Sequence, residues 1–219
     1  MRTLLWYRAM ATEYPRPSFT VDVVLIRYVG RLEILLIQRK KDPFEGQWAL
    51  PGGYVEKDEP ARAAAVRELV EETGVTFPPE RLLEIGVYAD PGRDPRGWTV
   101  SSAWIGLAPA GTQAVAGDDA AATAWHPVSD LPTLAFDHGA IVRAARTRML
   151  MHLQSDTAAF ALLKPGFRSA DARKLFAEIL GESIGPRKFK AWLRRRGAVE
   201  RVGPSRFKAA DALHPDWVR

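Results

Sequence analysis

Glu68, Glu71 and Glu72 fall within two turns of one expected helix. Spacings of three and four put all three carboxylates on one side of it, where like charges repel. A cation that neutralises them turns that repulsion into a site. Hard oxygen ligands of this kind suit Mg2+ or Mn2+, which also hold waters and phosphate oxygens. The alternative for a Glu-rich stretch is a solvated helix face.

The flanking residues weigh against that alternative. Pro51-Gly52-Gly53 forms a break where the backbone can turn and approach a ligand closely. Glu59-Pro60 fits a helix start, and Ala61, Ala63, Ala64 and Ala65 combine helix propensity with small size. Arg67 can pair with Glu71 one turn on, and Gly74 supplies the stop. The expected unit is a loop, a cation-bearing helix and a loop.

Gly53, Glu59, Arg67, Glu68, Leu69, Glu71, Glu72, Gly74 and Val75 match the Nudix box position for position. The chain thus resembles the Nudix family over about its first 150 residues. The resemblance implies a mixed sheet between helices, with Glu68 and Glu72 as principal metal ligands and Glu71 assisting. It implies further that the Gly52 carbonyl adds a ligand, that Arg67 orients the carboxylates, and that Glu59 supports the helix start. Gly53 falls on the ligand side of the same break.

The elements that must carry this helix are legible in part. Phe19–Ile26 reads as a buried strand, Leu32–Ile37 as its hairpin partner, and Leu82–Tyr88 and Trp98–Leu107 as two further strands. Arg39, at a strand end near the expected diphosphate, is either solvated or a phosphate contact. Arg93 and Arg96 lie in a Pro- and Gly-restrained loop, which is either a polar turn or a pair of fork-shaped phosphate donors. That loop, and Gly117-Asp118-Asp119 before Trp125-His126-Pro127-Val128, resemble segments of ADP-ribose-type Nudix proteins. Asp118 or Asp119 could supply a base or auxiliary carboxylate, or simply a turn. Asp137 is the expected N-cap of a helix to about Leu150, and His138 could touch the site or be structural.

Charge divides the chain. Residues 1 to 156 carry 17 Lys and Arg against 20 Asp and Glu, a net of −3; residues 157 to 219 carry 14 against 6, a net of +8. Two modules with different partners are therefore expected, residues 1–154 (with an N-terminal arm, 1–17) and residues 155–219. In the second, Ser169 reads as the N-cap of a helix over Asp171–Leu180, followed by a short turn and a helix over Pro186–Arg196. Val199–Val202 and Arg206–Lys208 then read as a hairpin. Two helices and a hairpin outline a winged helix-turn-helix, so the fold class is α/β (α+β) with an appended winged helix. Arg187, Lys188, Lys190, Arg194, Arg195, Arg196 and Arg206 are the candidate DNA contacts. A solvated basic helix is the competing account.

The full order resembles the Nudix-related transcriptional regulators of NAD metabolism. That resemblance implies a homodimer that binds operator DNA and senses ADP-ribose or a related NAD-derived diphosphate. The alternative is a Mg2+-dependent ADP-ribose pyrophosphohydrolase yielding AMP and ribose 5-phosphate, with a nucleotide-housekeeping hydrolase as a third reading. The absence of cysteine excludes a disulfide framework, a thiol nucleophile and a Cys-ligated zinc site. No apolar run approaches a membrane span and no signal-peptide core is present, so a cytoplasmic location is expected.

Overall fold

The computed structural model describes residues 15–117, 120–155, 158–195, 199–204 and 206–209. Most of the expected N-terminal arm, together with Asp118, Asp119 and Arg196, lies outside them. Its organising element is β1 (Ser18–Tyr28), buried on both faces through its middle. Alternate residues serve different layers. Val21, Val23 and Leu25 face one apolar cluster, while Val24, Ile26 and Tyr28 face another. A strand sandwiched in this way reads as a continuous apolar run rather than an alternating one.

Around it, β2 (Leu32–Arg39) and the short β4 (Gly52–Tyr54) pair antiparallel with β1, and β6 (Thr99–Leu107) pairs parallel. β3 (Trp48–Ala49), β5 (Leu83–Tyr88) and β7 (Ala120–Pro127) complete a seven-stranded mixed sheet in the order β3-β2-β1-β6-β5, with β7 also on β2. This is the mixed sheet expected of the Nudix fold. β3, β4 and β7 carry little strand signal, because two are two or three residues long and β7 begins with three alanines. Pairing to a long neighbour makes them strands.

The sheet is covered on one side by α1 (Ala61–Thr73), which buries Ala64, Ala65 and Leu69 against it. Gly74 ends this helix in the left-handed conformation, φ 65°, and its N–H bonds Val70 O at 2.9 Å. On the opposite side lies α2 (His138–Ser155), with Ile141, Val142, Ala145 and Met149 inward. It runs past the expected end at Leu150. Asp137 does precede it, and its carbonyl accepts from Ala140 N at 2.7 Å; its carboxylate, however, is held by Arg93.

Beyond a 3-10 turn (Ala158–Leu162) come β8 (Phe167–Arg168), α3 (Ser169–Leu180), α4 (Pro186–Arg195), β9 (Val199–Gly203) and β10 (Arg206–Ala209). Helix, turn, helix and a three-stranded sheet in the order β8-β10-β9 make a winged-helix arrangement. Its interior is an aromatic cluster in which Phe160 stacks on Phe167 at 5.5 Å and Phe176 meets Trp192 at 5.0 Å. Leu175, Phe176, Ile179, Phe189 and Leu193 are buried with it, as their spacing requires. The expected cap is corrected by one residue. Ser169 is the first helical residue, while extended Arg168 (φ −92°, ψ 153°) is the N-cap and Asp171 accepts its backbone N–H at 2.9 Å. The unforeseen strand β8 reaches to Arg168 and fixes that boundary.

Candidate functional site

Arg67 organises the charged face of α1. Its Nε and Nη2 each reach a different oxygen of Glu59 at 2.9 Å, a bidentate pair. Nη1 donates to Glu68 at 2.8 Å and to Glu71 at 3.1 Å, and Nη2 also donates to the Tyr54 carbonyl at 2.9 Å. The arginine thus joins the strand-to-helix loop to the helix. The hydrogen bonds from Arg67, helped by the Glu56 backbone N–H, pull the Glu59 carboxyl down to about 2. Glu59, expected to support the helix start, braces Arg67.

Glu68 and Glu72 are set apart from Glu71, which is the exposed member. Burial raises the Glu68 carboxyl, against the pull of Arg67. Burial raises Glu72 further, to about 8, with the Glu68 and Asp22 charges adding to it and the Gly52 N–H opposing at 2.8 Å. Two carboxylates one turn apart on the helix, both raised by burial, fit a divalent cation. A hard divalent ion can be held by one or two protein carboxylates and complete its shell with water and phosphate. Among the described residues no three acidic or imidazole groups are gathered into a closed cage. A Cβ at Gly53 would displace the Glu68 carboxylate from its present position.

Beside this face opens a cleft of about 80 Å3 lined by Asp22, Arg39, Gly52, Gly53, Tyr54, Arg93, Arg96, Phe136 and His138. The three loop and strand-end arginines singled out from sequence converge there, but each already has partners. Arg39 donates to the carbonyls of Pro43 at 2.7 Å and Lys41 at 3.2 Å and lies 4.8 Å from the centre of the Phe136 ring. Burial, then the nearby Arg96 charge, lowers its pKa. Arg96 pairs with Asp94 at 2.6 Å and covers both Tyr54 and Phe136 at 5.5 Å. Two guanidinium groups therefore share one aromatic ring in the lining of the cleft.

Arg93 lies deeper. It makes a bidentate pair with Asp137, at 2.7 and 2.9 Å, and reaches Asp22 at 3.4 Å. Asp22 is the buried hub: Ser101 donates to it at 2.6 Å and His138 Nε2 lies 3.2 Å away. Burial pushes the Asp22 carboxyl up, but His138, Ser101 and Arg93 outweigh that and hold it below the usual range. Because Leu50 N donates to His138 Nδ1 at 2.9 Å, the ring proton sits on Nε2, facing Asp22. Asp22 and Asp137 were not read as site residues, and a signal for Asp22 was present. One aspartate inside a strand buried on both faces must be paired.

On the winged helix, Arg187, Lys188, Lys190 and Arg206 are exposed. Arg194 and Arg195 belong to the last turn of α4, with only their backbone described. Gly117, just ahead of Asp118 and Asp119, is docked on the end of α1, its N–H bonding Glu72 O at 3.0 Å.

Comparison with known proteins agrees with this geometry. Residues 17–145 match the NUDIX domain family. An ADP-ribose pyrophosphatase of Methanocaldococcus jannaschii is 44% identical over 130 residues, 59% of this chain and 73% of that protein. The ADPR responsive transcriptional repressor NtrR of Acinetobacter baylyi is 30% identical over 201 residues, 90% of this chain and 80% of that protein. The crystal structure of Shewanella oneidensis NrtR complexed with a 27mer DNA superposes with a TM-score of 0.71 at 26% identity, covering 91% of this chain and 95% of that one. With the box, the sheet and the helix that bears the carboxylates all in place, the chain belongs to the Nudix family.

Proposed function

We propose that the protein is a transcriptional regulator of NAD metabolism, binding operator DNA through its winged helix and sensing ADP-ribose or a related diphosphate in the Nudix cleft. The observation that carries this reading is that similarity to an ADPR-responsive repressor extends over both modules, well beyond the Nudix part. We assign sensing to residues 1–154 and DNA binding to 155–219. Arg39 and Arg96 would receive the anionic part of the effector at the cleft mouth, with Phe136 and Tyr54 as apolar walls. Glu68 and Glu72, with Glu71 assisting and the Gly52 carbonyl as a further oxygen, would hold Mg2+ or Mn2+. Such an ion, when bound, neutralises the diphosphate charge. Arg67 fixes the direction of Glu68, and Gly53 leaves it room. Arg187, Lys188 and Lys190 would face DNA phosphates and groove edges. Two copies related by a two-fold axis would match operator half-sites, and effector binding would change their disposition. Both activities call for the cytoplasmic location expected from sequence, and among the described residues no helix is long and apolar enough to cross a membrane.

A second reading, ADP-ribose pyrophosphohydrolase, is favoured by the intact set of box carboxylates and by the similarity to the archaeal pyrophosphatase. In it Asp118 or Asp119 is the candidate base. Gel-shift titration against promoter fragments of NAD-biosynthesis genes, with and without ADP-ribose, separates the two. A regulator gives specific retardation that the effector alters. Turnover of ADP-ribose to AMP with no specific retardation at moderate salt leaves only the hydrolase.

A further inference from the structure

The small sheet of the winged helix places two arginines in an arrangement that folding alone disfavours. In the antiparallel pair of β8 and β10, Arg168 stands directly opposite Arg206. Their neighbours Phe167 and Phe207 also stand opposite one another and turn toward the aromatic cluster, so the two arginines share the outer face. Both are exposed, and neither forms an ion pair with a carboxylate among the described residues. Like charges directly opposite destabilise a sheet. Arg168 is misplaced a second way, because it is the N-cap of α3, the end of a helix that disfavours a cation. Asp171 offsets part of this by accepting the Arg168 backbone N–H. Arg206 is aimed by a hydrogen bond from Nη1 to the Gly166 carbonyl at 3.1 Å.

We propose that Arg168 and Arg206 form a phosphate clamp that seats the winged helix on the backbone of duplex DNA. The proposal rests on the DNA-binding reading and adds to it a residue, Arg168, outside both helices of the helix-turn-helix. A shared phosphate relieves the repulsion between the two guanidinium groups, and the bond to Gly166 pre-orients one of them. The clamp reads no sequence; it fixes register, leaving base contacts to α4.

The test titrates full-length protein onto fluorescein-labelled mixed-sequence duplex DNA over a range of NaCl concentrations, followed by anisotropy. R168A and R206A each weaken binding and flatten the slope of log affinity against log salt by about one. The double variant loses less than the product of the two single losses, and R168K keeps most of the wild-type slope. DNA-free R168Q melts at a higher temperature than wild type, because both unfavourable placements are gone. R148A, which removes an exposed charge from α2, leaves the slope unchanged. An unaltered slope in R168A, with wild type binding DNA, overturns the clamp and leaves the DNA-binding reading intact. A lower melting temperature in R168Q, or equal flattening by R148A, overturns it too, since the arginine is then part of the fold or of bulk charge. Wild-type protein that fails to bind duplex DNA overturns both.

Discussion

The two charged faces of this molecule are built in opposite ways. Around α1, Arg67 is tied to Glu59, Glu68, Glu71 and the Tyr54 carbonyl, and around the cleft Arg93 and Arg96 are held by aspartates. On the winged helix, Arg187, Lys188 and Lys190 stand exposed, with no carboxylate partner among the described residues. On the proposed reading the first face takes a small, hard ion and a diphosphate, which calls for fixed geometry and charges braced in advance. A face for a long polyanion gains from unpaired cations, each displacing a counterion. The difference teaches that pairing, more than the number of charges, separates a chemical site from an electrostatic one.

The sharpest break of this contrast is Glu72→Gln. It should lower Mn2+ affinity, measured by calorimetry, by at least ~100-fold, more than the loss from an outer partner, and leave effector-free DNA affinity unaltered. Arg67→Ala should cost about 10- to 100-fold in the same measurement, because it removes a brace and no ligand. Equal DNA affinity in both variants keeps the two faces separate; a parallel loss would join them. From the other side, the combined Arg187→Ala, Lys188→Ala and Lys190→Ala variant should flatten the salt slope of DNA binding by about 2.7, at roughly 0.9 per lost phosphate contact. Its Mn2+ affinity should be that of wild type.

A pH dependence of stability tests the buried carboxylate on its own. Glu72 in the folded protein is raised from 4.5 to about 8. The native state therefore keeps a proton that the unfolded chain releases, and stability falls as pH rises through that window. Thermal melts without metal should decline from about pH 4.5 to about pH 8, while Glu72→Gln should show a flatter profile. Saturating Mg2+ should counter the decline at the upper end, because the bound ion favours the ionised carboxylate.

Much of this was legible in residue spacing. The carboxylate helix, its glycine stop, the Arg67–Glu71 pair, the β1–β2 hairpin and the buried stripes of α3 and α4 all follow from intervals of two to four residues. What escaped was of two kinds. β3, β4, β7 and β8 have no strand pattern of their own and exist by pairing with longer neighbours. Asp22, Asp137, Asp94 and Arg168 take their roles from partners that the local pattern does not name. Asp137 was read as a helix cap, yet its carboxylate serves Arg93. Ser169 was read as a cap, yet β8 pushes the boundary to Arg168.

By itself, then, the sequence determined which residues share a helix face, where chains turn and how charge divides between the front and back of the chain. Backbone geometry fixes those relations within a few residues. Only the tertiary structure decided that Arg93 would bridge Asp22 and Asp137, that His138 would present Nε2 to Asp22, and that Arg168 would meet Arg206. Such contacts depend on sheet register and on how α2 lies across the sheet, and a shift of one residue would turn each side chain to the opposite face.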